Sequence, residues 1–220
     1  MSKWASERKA VLDAARKMSE KGFVVGTAGN VSMRLAAPGR KGLMAITPTS
    51  RYYDTIGVDD IAVVDFDGQR VEGEINPSVE IMLHIGVYKA RKKVNAVIHS
   101  HPVLSSAFAV AGKEIPPIVE DQVTYLGGGI RVAEYALSGS QDLVTNALSA
   151  LGPRNAVLLA NHGAVCVGRD LREAFTNCEM LERTAKTYIC VLSIGKLVPI
   201  PNESLEAMSA YFGYVHGDNE

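Results

Sequence analysis

Apolar or small side chains at Ala5, Val11, Leu12, Ala15 and Met18 recur at helical spacing with charged residues opposite, predicting a helix over 5–21. Gly22 follows where a helix C-cap belongs. A short Gly-rich segment, Phe23 to Arg34, reads as turns running into a strand at Val31–Arg34. The polar stretch Ala37–Gly42 reads as a loop, and Leu43–Thr47 as a strand stopped by Pro48. Ile61–Phe66 and Gln69–Glu72 flank Asp67-Gly68, the signal of a two-residue hairpin.

Farther along, Ile81, Met82, Ile85 and Tyr88 offer a buried stripe on a helix over Ser78–Lys92. Val94–His99 is rich in β-branched residues and reads as a strand that ends near Pro102. Leu104–Ala111 reads as a short helix, and Ile118–Glu134 as loop mixed with strand. Ser140–Leu151 is helical by period, Ala156–Asn161 and Ala164–Val167 read as strands, and Leu171–Leu192 is the longest helix, with a terminal one over Leu205–Phe212. No repeat or compositional break divides residues 1–220. The alternation predicts a single layered domain, α/β or α+β, around one sheet that is at least partly antiparallel.

Composition narrows the class of function. Of 220 residues, 47% are hydrophobic and 21% charged, the balance of a globular chain with its own core. Lys plus Arg (23) nearly equals Asp plus Glu (24), so no electrostatic footprint for nucleic acid or an anionic membrane is present. No apolar run approaches the ~20 residues of a membrane span. The charged start, 1–22, lacks the apolar centre of a signal peptide. Cys166, Cys178 and Cys190 lie too far apart for a metal hook, and are expected to be reduced and buried, which with the rest predicts a soluble cytoplasmic protein.

The candidate chemistry concentrates at strand ends. In His99-Ser100-His101 the two imidazoles project to one side of a strand and can converge on one cation such as zinc. His162, after the buried run Ala156–Asn161, is placed to complete a His₃ set with an open position for water or substrate. Glu80 stands at the start of a helix, where it either complements the dipole or moves protons for a metal site. His84, four residues on, is either its partner or a core histidine. Glu120 and Asp121 form a second acidic pair, or simply a solvated loop. Gly26-Thr27-Ala28-Gly29-Asn30, Thr47-Pro48-Thr49-Ser50 and Ser78 offer amides and hydroxyls of the kind that cradle an anion.

The order of five motifs, Gly26 to Ser32, Ile46 to Thr49, Pro77 to Glu80, His99 to His101 and Asn161 to Gly163, resembles the class II aldolase/adducin family over roughly residues 8–195. The resemblance implies a three-layer α/β/α domain with a mostly antiparallel central sheet, assembled as a homotetramer with sites at subunit interfaces. It implies His99, His101 and His162 as metal ligands, with Glu80 as catalytic carboxylate that also approaches the metal. The cofactor would be Zn2+, with Mn2+ or Co2+ as alternatives. Asn30, Thr49, Ser50 and Ser78 would bind the substrate's phosphate, with Thr27 and Gly29 also at the substrate; Tyr211 and Tyr214 would match an aromatic pair that closes over it, and Glu120 or Tyr214 would handle the hydroxyl proton.

The implied reaction is reversible cleavage of a ketose 1-phosphate (fuculose 1-phosphate or a related deoxyketose phosphate) to dihydroxyacetone phosphate and an aldehyde. Alternatives on the same scaffold are a ribulose-phosphate 4-epimerase, a methylthioribulose-phosphate dehydratase or a non-catalytic assembly module. Two departures bear on the substrate. Val79 stands where many relatives have a second serine, and Val119-Glu120-Asp121 occupies the stretch that carries a histidine–tyrosine pair in the fuculose-phosphate enzymes.

Overall fold

The computed structural model describes residues 3–36 and 42–217. Eight strands form one sheet: β1 Asn30–Leu35, β2 Leu43–Ile46, β3 Ala62–Asp65, β4 Arg70–Glu72, β5 Ala96–Ser100, β6 Val132–Ala133, β7 Ala156–Leu159 and β8 Gly163–Gly168. Their order across the sheet is β4-β3-β2-β1-β5-β8-β7-β6. Six neighbouring pairs are antiparallel, and the edge pair β6–β7 is parallel, so the sheet is mixed though mostly antiparallel.

Among the described residues seven α-helices accompany it, besides a single 3-10 turn at Val58–Asp60: α1 Ala5–Glu20, α2 Ile81–Ala90, α3 Val103–Ala111, α4 Glu120–Leu126, α5 Gln141–Leu151, α6 Leu171–Ile194 and α7 Asn202–His216. The central strands are buried on both faces, and so read as continuous apolar runs rather than as alternation. Their side chains nonetheless sort by parity. Leu43, Ala45, Ala96, Ile98, Ala164 and Cys166 pack with α1, α3 and α6, whereas Met44, Ile46, Val97, Val165 and Val167 pack with α2 and α5. Two apolar clusters, one on each side of the sheet, make the three layers.

Several boundaries differ from the sequence reading. Asp65 N–H donates to the Gln69 carbonyl, which leaves three residues in the β3–β4 turn rather than two, with Gly68 at φ +84°. The segment read as loop and strand over Ile118–Glu134 contains the helix α4. Its β-branched and aromatic residues are weak helix formers, and what holds it is tertiary: the fully buried Gln122 amide donates to the carbonyls of Pro116 and Gly128 while accepting from Ile118 N–H. Helix α2 begins at Ile81 rather than Ser78, leaving Glu80 as the residue before the first turn. Cys190 is exposed on α6, unlike Cys166 and Cys178, and all three are free thiols. The predicted loop at Ala37–Gly42 lies, except for Gly42, outside the described residues. No described helix is long and apolar enough to cross a membrane.

Candidate metal centre and active site

The register of β1 against β5 sets the site. Asn30 and His99 are partners across that ladder, and by parity both face the α2 layer, as does Ser32. Gly29, just before β1, has φ +72°, and a Cβ there would stand 2.7 Å from the His99 carbonyl oxygen. Only glycine lets the loop 26–29 pass this close to β5. The Tyr53 hydroxyl donates to the Gly29 carbonyl at 2.6 Å and pins the loop from the other side.

His99 is the penultimate residue of the buried strand β5, His101 follows its end, and His162 stands in the tight β7–β8 turn, where Asn161 takes φ +54°. The three imidazoles offer ring nitrogens that all lie within 4.8 Å of one another, a set able to hold a metal ion. Glu80 closes the fourth side, with Oε2 3.2 Å from His99 Nε2 and Oε1 3.5 Å from His162 Nε2. His99 Nδ1 lies 3.0 Å from the Ala164 carbonyl, which can only accept, so this nitrogen carries a hydrogen and Nε2 is the atom turned toward the site. His99 Nε2 faces Glu80 Oε2 and, at 2.9 Å, His101 Nε2. A divalent cation at the shared centre would draw on these nitrogens and the carboxylate together, and three nitrogens with one carboxylate are the donor set that suits zinc.

Electrostatics agree with that fit. Burial raises the Glu80 carboxyl, but positive charge at the His99 ring, hydrogen bonds from Asn30 and Ser138, and charge at His162 outweigh it and hold the group down at about 2. Burial, with the adjacent His99 and His162 rings, pushes His101 down to about 4, and burial and His99 likewise lower His162. The carboxylate is therefore ionised and those two rings are neutral at pH 7, the states in which they bind metals.

A cavity of about 200 Å3 opens beside this cluster, lined by Thr27, Gly29, Asn30, Thr49, Ser50, Ser78, Glu80, His101, Ser138 and His162 among others. Its far wall is built by an antiparallel bridge, Pro48 against Pro77, in which Ser78 N–H donates to Thr47 O and Thr49 N–H to Asn76 O. The bridge brings the Thr49-Ser50 turn beside Ser78. All six residues that the resemblance implies for substrate binding line one cavity with Glu80, whereas Gly26 and Thr47 of the same turns do not. Glu80's side chain makes no helix cap; it accepts from Asn30 Nδ2 at 2.9 Å and from Ser138 Oγ at 2.8 Å.

Ser138 is the residue that sequence reasoning missed. A lone serine in the turn Leu137-Ser138-Gly139 carries no spacing signal, and only the packing of this turn beside Val79 brings it to Glu80. His84 is a core histidine bonded to Asn30 and Ser32. Glu120 and Tyr214 do not join the cavity within the chain: both are exposed, on α4 and α7 respectively, and Tyr211 is exposed too.

Residues 9–189 match the family described as class II aldolase and adducin N-terminal domain. A 5-deoxy-D-ribulose 1-phosphate aldolase of Bacillus thuringiensis serovar kurstaki is 32% identical over 209 residues, covering 94% of this chain and 96% of that protein. An L-fuculose phosphate aldolase of Methanocaldococcus jannaschii is 33% identical over 190 residues, covering 86% and 99%. Among solved structures, an L-fuculose 1-phosphate aldolase superposes with a TM-score of 0.88 at 34% identity, covering 96% of this chain and 97% of that one. On sequence and fold alike, this chain belongs to the class II aldolase and adducin family.

Proposed function

We propose that the protein is a metal-dependent aldolase that reversibly cleaves a ketose 1-phosphate, of the deoxyribulose or fuculose type, to dihydroxyacetone phosphate and an aldehyde. The observation that carries the reading is the convergence of His99, His101 and His162 with an ionised Glu80 at the wall of one polar cavity. In this reading the three histidines hold a divalent cation, zinc first among candidates, with Glu80 approaching it. When bound, the ion supplies Lewis-acid polarisation of the substrate's ketone oxygen, worth several kcal/mol of charge stabilisation.

The chain's own residues do the rest. Thr27, Gly29, Asn30, Thr49, Ser50 and Ser78 take the phosphate through hydroxyls and N–H groups, without a lysine in the cavity lining. Glu80, held as a carboxylate, accepts a proton from the carbon next to the ketone in the addition direction and returns it in cleavage. Ser138 and Asn30 keep its two oxygens aimed while it does so. Exposed Val25, Val79 and Leu137 beside the cavity suit burial against further copies in a homotetramer. In such an assembly Glu120 and Tyr214 would reach the cavity of a neighbouring copy to handle the hydroxyl proton. The whole chain acts as one domain, and its free thiols suit the cytoplasm.

The test is a cleavage screen over fuculose, rhamnulose, 5-deoxyribulose and methylthioribulose 1-phosphates, with metal content measured in parallel. Release of dihydroxyacetone phosphate by the metal-loaded protein supports the reading. Interconversion or dehydration of a sugar phosphate without release points to an epimerase or dehydratase, and a metal-free, inert protein to an assembly module.

A further inference from the structure

Behind Glu80 and Asn30 lie three buried polar groups, Ser32, His84 and Tyr88, that the proposed chemistry does not use. Asn30 and Ser32, two apart on β1, face α2; His84 and Tyr88, one turn apart on α2, face β1. His84 and Ser32 are fully buried, and Tyr88 nearly so. The groups join in one line. The Tyr88 hydroxyl lies 2.7 Å from Ser32 Oγ, which lies 2.6 Å from His84 Nδ1. His84 Nε2 meets Asn30 Oδ1, and Asn30 Nδ2 reaches Glu80 Oε2 at 2.9 Å.

Donor and acceptor chemistry fixes the direction of every bond. The Glu80 carboxylate accepts, so Asn30 must turn its NH₂ toward it and its Oδ1 toward His84. An amide oxygen only accepts, so His84 Nε2 carries the hydrogen, and Nδ1 of the neutral ring accepts from Ser32. Ser32 has then spent its only hydrogen and takes one from Tyr88. The hydrogens all point one way, from the core toward the carboxylate.

We propose that His84, Ser32 and Tyr88 are positioning residues for the Asn30 amide, locking one N–H onto Glu80 and leaving the other for substrate in the cavity that Asn30 lines. This rests on the aldolase reading for the identity of that substrate, a ketose phosphate. Without the lock, Asn30 Oδ1 is left buried without a donor and the amide is held at one end only, so its aim on Glu80 and into the cavity loosens. The set acts only through Asn30, since none of its three members lines the cavity.

The first test is 15N NMR of the metal-free, histidine-labelled full chain at pH 7, with the His84 signals assigned by their loss in His84→Gln. The expected result is the Nε2–H tautomer with a bare Nδ1; an Nδ1–H tautomer or an imidazolium overturns the proposal. The second compares metal-loaded variants. His84→Leu removes the donor and should lower kcat about tenfold or more and raise KM, whereas His84→Gln keeps an N–H for Asn30 and should recover most of both. Equal losses in the two variants overturn the proposal. Should the leucine variant not fold, Ser32→Ala, expected to lose about tenfold in kcat/KM, takes its place, and an unchanged value counts against the lock. If the wild type cleaves no ketose phosphate, the aldolase reading fails while the tautomer still decides the lock.

Discussion

Asn30 and His99 face each other across the β1–β5 ladder, and their side chains reach the same oxygen of Glu80, Oε2, at 2.9 and 3.2 Å. A strand register thus puts a hydrogen-bond donor and a candidate metal ligand on one carboxylate. Asn30→Ala should leave the fold intact and metal bound, but lower kcat/KM by about 10- to 100-fold, the size of a hydrogen bond to a charged group. Steady-state kinetics alongside circular dichroism and metal content would check it; an unchanged kcat/KM would separate Asn30 from Glu80's work.

Glu80→Gln keeps the side-chain shape while removing the proton acceptor. The variant should retain metal and lose at least about two orders of magnitude in turnover, the usual share of general acid–base catalysis. Ser138→Ala, which removes the bond to Oε1 only, should lose about tenfold in kcat with KM nearly unchanged.

Gly163 offers a test that touches no ligand. A Cβ there would stand 2.6 Å from the Ser100 carbonyl and collide with the His101 ring. Gly163→Ala should therefore displace His101 and weaken zinc binding at least about tenfold, read by competition with a chromogenic chelator. Full affinity in that variant would show that His101 is not needed where it stands.

The pH dependence of stability has a definite sign. Burial lowers His84 from 6.5 to about 3, so the unfolded chain binds a proton that the folded chain refuses. Its contribution is complete above pH 6.5 and falls away as pH drops from there toward 3. The slope of unfolding free energy in metal-free protein should approach about 1.4 kcal/mol per pH unit from His84 alone. His101, His162 and His216, also lowered, act in the same direction, so urea unfolding of His101→Gln/His162→Gln/His216→Gln between pH 6.5 and 5 reads the His84 share. A flat profile there would mean that His84 is charged or exposed in the folded protein.

Much of the site was legible because its residues recur at diagnostic spacings. His99 and His101 differ by one strand step, His162 precedes a glycine at a strand end, and the Gly26–Asn30 and Thr47–Ser50 turns carry their own composition. What was not legible depends on contacts between distant segments. Ser138 reaches Glu80 over 58 positions, and the line from Tyr88 to Asn30 exists only because β1 and α2 present matching faces. Helix α4 was missed since its stability lies in the burial of Gln122 rather than in local propensity. In the fold, the parallel edge pair β6–β7 escaped notice because a two-residue strand leaves no period to read.

One cation shared by three imidazoles is the centre of the proposed site, and calorimetric titration of zinc into metal-free protein tests this most directly. One tight site per chain is expected, lost in His99→Ala and in His162→Ala. Absence of saturable binding, or equal binding by either alanine variant, would contradict it.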